Sequence, residues 1–260
     1  MTKPFLKWAG GKSQLLDLVR DLWLPYRNRP YQDLTVGAGS IPLALRPKEV
    51  HANDINPHLM SCFATLKSGK DLFNPEYKNI EAEYYKLREK FNSLSKDESS
   101  AALIERSKLF YYLNRHCFKG LCRFNSKGKF NVPYGNYKKP IYNIDFSTHK
   151  KVVVKWHLSS LDFSSVPLIP GAFLVADPPY DGTFTKFSGD FTWENQEYLA
   201  RIISRHDAPT VAFNAATDRI DSLYSKLGFK AIATHEKRMI AANGNRDSVE
   251  CRMFLKGFPL

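Results

Sequence analysis

Long apolar runs are missing from this 260-residue chain. None approaches the roughly 20 consecutive apolar residues that a membrane-spanning helix needs. The opening MTKPFLKWAGG also lacks the apolar stretch of a secretory leader, so a soluble, cytoplasmic protein is expected. Cysteine is scarce. Cys62, Cys117, Cys122 and Cys251 form no CxxC pair and lack the accompanying histidine pattern that a zinc site needs, which predicts reduced, mostly buried thiols. Internal repeats and low-complexity tracts are absent, so the chain is not a solenoid or a disordered linker. Acidic residues are outnumbered, 26 Asp plus Glu against 38 Lys plus Arg, for a formal charge of +12. That balance favours a polyanionic partner.

What is present is enough to build a large core, since 43% of the residues are hydrophobic. The basic excess is uneven. From Arg115 to Lys139 there is no acidic residue, while seven lysines and arginines alternate with Phe118, Phe124, Phe130, Tyr134 and Tyr137. Cations neutralise phosphates and rings stack on or wedge between bases, so this is the composition of a nucleic-acid surface. A solvated loop with its rings packed underneath explains the stretch equally well.

The pattern divides the chain into a strand-and-helix part, residues 1–57 and 150–260, and an inserted helical subdomain with a projecting hairpin, residues 58–149. In the first part, YQDLTVGAGS and EVHANDINP are short β-prone stretches ending in glycine or a polar turn. In the insert, Ile80, Tyr84, Leu87, Phe91 and Leu94 recur at helical spacing, Leu103 to Leu113 continue in helical composition, and FNSKGKFNVPYGNYKKP (124–140) predicts a β-hairpin with its tip at Lys127-Gly128. Strands return with KVVVKW (151–156), AFLVA (172–176), TVAFN (210–214), HEKRMIA and VECRMFL, the last two joined by an Asn-Gly turn that leaves Arg246 a possible DNA neighbour. Helical stretches at 193–206 and 217–228 intervene, the second with Thr217 or Asp218 at its start and Gly228 at its stop. Strands alternating with helices predict an α/β fold, a mostly parallel sheet covered on both faces.

Three motifs carry chemistry. Gly37 and Gly39 in GAGS let a strand-to-helix turn approach a ligand closely, and Asp54, at the end of the next strand, is placed to accept hydrogen bonds from ribose hydroxyls. A nucleoside-containing cofactor follows. GGKS (10–13) is not a phosphate loop, because the glycine required five residues before Gly11 is Leu6. In the third motif, Asp177-Pro178-Pro179-Tyr180 follows an apolar run directly, and two prolines cannot continue a central strand. Asp177 therefore stands at a strand terminus on a stiff turn. There, its carboxylate and the Pro178 carbonyl can each accept one N–H of an aromatic amine, freeing the nitrogen lone pair, while Pro179 offers no competing N–H and Tyr180 gives the base a stacking face. The electrophile is a sulfonium methyl and no metal is needed. On these residues alone the acceptor is a DNA adenine, an RNA adenine, cytosine N4 or a protein amide, and a DNA-binding module with a defunct pocket stays open.

In combination the motifs resemble the Dam family of DNA adenine-N6 methyltransferases, nearly end to end. FLKWAGGK (5–12) is similar to the family's N-terminal cofactor motif, VGAGS (36–40) to its glycine loop, ANDIN (52–56) to its ribose-binding segment, and DPPY (177–180) to its catalytic tetrapeptide. YLNRHCFKGLCRFNSKGKFNVPYGNYKKP (112–140) resembles the DNA-reading hairpin of members that recognise GATC. The resemblance implies a Rossmann-like methyltransferase sheet, S-adenosyl-L-methionine as cofactor, double-stranded DNA as partner, a flipped adenine within GATC as target, and a monomer that needs no protein partner. Asp177, Pro178, Pro179 and Tyr180 would be catalytic. Trp8, Ala9, Gly10, Lys12, Val36, Gly37, Gly39, Ser40, Asp54, Ile55 and Asp177 would hold the cofactor, with Asp162 and Phe163 near its adenine. Lys7 and Arg123 would read base edges and Phe118 would wedge into the stack. Arg115, Lys119, Leu121, Asn125, Pro133 and Tyr137 complete the implied DNA surface. Two departures stand out. Leu34-Thr35 replaces the family's usual proline and phenylalanine, and Lys119 replaces a polar amide.

Overall fold

The computed structural model describes residues 1–94, 99–140, 143–182, 191–237 and 248–259. Among them, seven strands form one sheet: β1 (Tyr31–Asp33), β2 (Val50–Asn53), β3 (Trp156–Ser159), β4 (Phe173–Ala176), β5 (Thr210–Ala215), β6 (Lys230–Lys237) and β7 (Ser248–Lys256). Their order is β3-β2-β1-β4-β5-β7-β6. The first five are parallel, and β7 runs antiparallel between β5 and β6. β1 is flanked by β2 on one side and by β4 on the other, so the direction of winding reverses there and a crevice opens at the carboxyl ends of β1 and β4.

β4, at the centre of the sheet, is apolar on both faces because both faces are covered. In β4, Leu174 and Ala176 join a cluster with Leu199 and Ile203 of α7 (Trp193–Ser204) and Ile220 and Tyr224 of α8 (Asp218–Lys226), while Phe173 and Val175 join the larger cluster on the opposite face. That second face is packed by α1 (Leu16–Trp23), α2 (Ser40–Leu45) and α3 (Pro57–Lys67). Local chemistry sets the helix ends. Thr192 and Asn195 form a reciprocal capping box at the start of α7, Thr217 caps α8, and Gly228 takes the left-handed φ of 81° just beyond it. The expected start and stop of α8 are both observed.

α4 (Glu81–Ser93) buries Tyr84, Leu87 and Phe91, whereas Ile80, at its N-cap, is exposed. α5 (Ser100–His116) continues the helical part and packs against α3 and α4. Two expectations are corrected. Residues 151–153 belong to α6 (Ser147–Val153), and the strand expected over 151–156 begins only at Trp156. A β-branched run is compatible with a helix when one side can be buried, as Val153 is, and tertiary packing overrides propensity there. The hairpin expected over 124–140 is reduced to isolated bridges, Phe124 with Phe130 and Cys117 with Tyr134. Pro133 lacks the N–H a longer ladder needs, and Asn125 folds the tip by accepting from the backbone of Lys127 and Lys129, each at 3.0 Å. The Asn-Gly turn and Arg246 lie outside the described residues. All four cysteines are free and buried, and no described helix is long and apolar enough to cross a membrane.

Candidate active site and nucleic-acid interface

The glycine loop and the proline tetrapeptide face each other across the crevice because β1 and β4 are adjacent and parallel, with Asp33 level with Val175. The ladder carries on past the strand ends. Leu34 N–H donates to the Val175 carbonyl at 3.1 Å, and Asp177 N–H donates to the Thr35 hydroxyl at 2.7 Å. The threonine that departs from the family pattern thus contacts the tetrapeptide directly. A third segment reaches in from the N-terminus. Lys12, only 2% exposed, places its ammonium 2.7 Å from an Asp177 carboxylate oxygen and also donates to the Gly10 carbonyl at 2.6 Å. The same ammonium lies 5.0 Å from the Tyr180 ring centroid and 5.2 Å from that of Phe213. A buried cation of this kind is tolerated because its charge and its donors are met.

The glycine loop is shaped by positions only glycine can fill. Gly37 has φ of 51°, and a Cβ there would lie 3.0 Å from the Trp8 ring. Gly39 has φ of 71°, and its Cβ would lie 3.1 Å from Phe63 and 3.2 Å from Trp156. Trp8 is thereby laid on the loop, half-buried. Ser40, the first residue of α2, accepts from Lys12 N–H at 3.1 Å and ties the glycine loop to the N-terminal segment. Asp54 accepts from Gly37 N–H at 3.0 Å and from Asn56 N–H at 2.9 Å. Burial pushes its carboxyl up to about 6 despite those bonds. Ile55 beside it is exposed, whereas Val36 is buried.

One buried residue, missed from the sequence, locks this region. Asn53 donates to the carbonyls of Leu34 and Leu161, each at 3.0 Å, and accepts from Ser159 at 2.8 Å and Leu161 N–H at 3.0 Å. It joins the loops after β1, β2 and β3, and nothing in the local sequence marks it apart from a polar residue ending an apolar stretch. Asp162 is brought near by this junction, but its carboxylate is engaged in the turn, accepting from Ser164 N–H at 2.9 Å and the Ser164 hydroxyl at 2.5 Å. Phe163 is 7% exposed and packs with Phe191 and Tyr198.

Residues expected to face DNA separate into two groups. Phe118 is 40% exposed at the end of α5, with the Lys119 ammonium 5.1 Å over its ring and Lys119 itself in the left-handed region at φ of 53°. Arg123, Asn125 and Pro133 are exposed, and Arg115 and Leu121 are half-buried. Arg123 is braced by Asn131, donating to its side-chain oxygen at 2.8 Å and its carbonyl at 3.3 Å. Asn125 spends its side-chain oxygen on the tip. The other rings of the basic stretch pack inward: Phe130 is 1% exposed against Phe91 and Phe110, and Phe124 stacks on His58. The packed-ring reading of the aromatic pattern holds for Phe124 and Phe130, and Phe118 alone of the three is left exposed.

Lys7 joins the N-terminal segment to α5. Asn114, buried on α5, accepts from Lys7 N–H and donates to the Lys7 carbonyl, both at 2.8 Å. The Lys7 chain crosses Gly120, where a Cβ would lie 2.3 Å from it, and its ammonium stands 4.3 Å over the Tyr137 ring. Burial, then the neighbouring Arg115 charge, holds the Lys7 ammonium below its ordinary pKa. Asn114 is a second residue that sequence reasoning missed.

The signature of the D12 class N6 adenine-specific DNA methyltransferases matches residues 8–240. The chain is 33% identical over 263 residues to the DNA adenine methylase of Escherichia coli (strain K12), covering 93% of this chain and 90% of that protein. It is 31% identical over 260 residues to the Retron Ec67 DNA adenine methylase of Escherichia coli, covering 94% and 88%. The Type II methyltransferase M.MjaIII of Methanocaldococcus jannaschii is 31% identical over 277 residues, covering 94% of each chain.

Proposed function

Because the chain belongs to the D12 class N6 adenine-specific DNA methyltransferase family, we propose that it takes the methyl of S-adenosylmethionine and places it on N6 of an adenine turned out of duplex DNA, within GATC. Residues 58–149 serve as the target-recognition part and the remainder as the catalytic part. The observation that carries this reading is the convergence of Lys12 and Thr35 on Asp177 at the end of β4, with the Lys12 ammonium 2.7 Å from the Asp177 carboxylate and the Lys12 N–H bonded to Ser40 of the glycine loop.

The residues at the crevice fit the cofactor. Asp54 supplies a carboxylate next to a glycine turn, the form that accepts ribose hydroxyls. Gly37 keeps the Trp8 ring against that turn, and the ring gives apolar contact. Once bound, the cofactor supplies a methyl on a positively charged sulfur.

The chain does the rest by positioning. An adenine amino nitrogen is a weak nucleophile because its lone pair is delocalised into the ring. Asp177 accepts one N–H and the Pro178 carbonyl accepts the other, drawing the nitrogen toward a tetrahedral shape and directing its lone pair at the methyl. Lys12 pairs with the Asp177 carboxylate and fixes its rotamer, and the Tyr180 face receives the base. Phe118, exposed at the end of α5, fills the space the adenine leaves in the stack, offsetting lost base stacking. Arg123 and Lys7 read base edges from the basic surface beside it.

The test is labelled methyl transfer from S-adenosylmethionine to duplex DNA by the purified protein, alongside RNA and protein substrates. Asp177→Ala should abolish transfer and leave DNA affinity in place. Full activity in that variant, or transfer to RNA or protein alone, overturns the reading.

A further inference from the structure

The tetrapeptide turn has an unusual backbone problem. Pro178 and Pro179 carry no N–H, so the stretch from Asp177 to Asp181 cannot hold itself by a regular hydrogen-bond pattern. Side chains from three separate elements hold it instead. Thr35, in the loop after β1, accepts from Asp177 N–H at 2.7 Å. Gln196, on α7, donates to the Pro179 carbonyl at 2.8 Å. Asn214, on β5, accepts from Asp181 N–H at 3.0 Å.

Gln196 and Asn214 are 1% and 0% exposed, so their amides must be paired within the protein. They pair with each other, Asn214 donating to the Gln196 oxygen at 2.8 Å, and the Asn214 oxygen also accepts from Ala215 N–H at 2.8 Å. These bonds fix both amide orientations, since turning either would set donor against donor. Residues 177, 179 and 181 are gripped in alternation. Among the described residues no donor reaches the Pro178 carbonyl between them. The far end is anchored again, for Asp181 pairs with the Arg219 guanidinium, which lies 4.6 Å over the Trp193 ring at the start of α7.

We propose that Thr35, Gln196 and Asn214 are positioning residues for methyl transfer, a clamp on the main chain that aims the Asp177 carboxylate and the Pro178 carbonyl at one amino nitrogen; this rests on the functional reading above. The two acceptors belong to consecutive residues, and their directions depend on the same few backbone torsions. A displacement well under an ångström at the turn misaligns both at once. The clamp also accounts for Thr35. A hydroxyl stands where the family's phenylalanine would offer only apolar surface, and it bonds the catalytic main chain.

The protein carrying Thr35→Val, Thr35→Ser or Gln196→Met provides the test. Valine keeps the shape of threonine and deletes the acceptor, whereas serine retains it. Thr35→Val should slow single-turnover methyl transfer to GATC duplex by about 10- to 100-fold, with S-adenosylmethionine and DNA dissociation constants changed by less than about threefold. Amide exchange at Asp177 should accelerate while Ala176 stays protected, and Thr35→Ser should restore both readouts. Gln196→Met should slow transfer in the same way; if it fails to fold, Thr35→Val decides. An unchanged rate in Thr35→Val, a rate loss matched by lost cofactor affinity, or unaltered exchange at Asp177 overturns the clamp. Should the unsubstituted protein transfer no methyl to DNA, the functional reading fails, and the exchange measurement still judges the clamp.

Discussion

Replacing Asp33 by asparagine should make the protein's stability less dependent on pH. Asp33 ends β1, is 3% exposed, and accepts from the Tyr31 hydroxyl at 3.0 Å and from Thr35 N–H at 3.2 Å. Burial dominates those two bonds, and the nearby charges of Asp177 and Asp54 add to it, so the carboxyl rises from 3.8 to about 7. The folded protein therefore holds this proton more tightly than the unfolded chain does. The stability contributed is fully present below the unfolded value of 3.8 and is lost as pH climbs toward the folded value of about 7. A rise of about three pK units corresponds to about 4 kcal/mol, and interior relaxation brings the expected loss to about 2–4 kcal/mol. Asparagine keeps an oxygen for Thr35 N–H and offers an NH2 to the Tyr31 hydroxyl oxygen, leaving the tyrosine proton unmatched at a pH-independent cost of about 1 kcal/mol. Urea unfolding of both proteins at intervals from about pH 5 to about pH 8 measures the difference. Relative to the unsubstituted protein, Asp33→Asn should gain stability progressively over that range. A difference that stays constant, or that grows toward acid pH, refutes the reasoning.

Other consequences are equally direct. Gly37→Ala puts a methyl 3.0 Å from the Trp8 ring at φ of 51°, and should weaken S-adenosylmethionine binding measured by calorimetry and destabilise the fold by about 1–3 kcal/mol. Asn114→Ala strips two part-buried backbone groups of Lys7 of their partner, with an expected loss of about 1–3 kcal/mol in chemical unfolding. Arg123→Ala should relax discrimination at one guanine by about 1–3 kcal/mol when methylation of GATC and single-substituted sites is compared. An equal loss on every sequence would assign the arginine to phosphate.

Much of the candidate site is legible in the amino-acid order because its chemistry demands rare local arrangements. Two prolines behind a carboxylate and an apolar run can only end a strand, and a GxG after a β-prone stretch can only be a tight turn. Both sit where the sequence puts them. The cap and stop of α8 are readable for the same reason, a local hydrogen bond at Thr217 and a left-handed glycine at 228. Residues 151–153 are not, since a run of valines suits a strand or a helix equally until one face is buried. The rings between Arg115 and Lys139 show the same limit. Phe118 and Phe130 are alike in sequence, and only the packing of α4 and α5 leaves one exposed and the other enclosed.

Residue type and short-range order are enough to single out the groups able to do chemistry, because Asp177, Lys12, Asp54 and the glycines are recognisable from their immediate neighbours. Which of them meet is set by the folded sheet. Asn53, Asn114, Gln196 and Asn214 are ordinary amides in the chain, and each acquires its role from partners 17 to 108 residues away. An amide has no preferred partner until burial removes water as the alternative. That burial comes from the sheet and the helices that cover it, not from any local stretch.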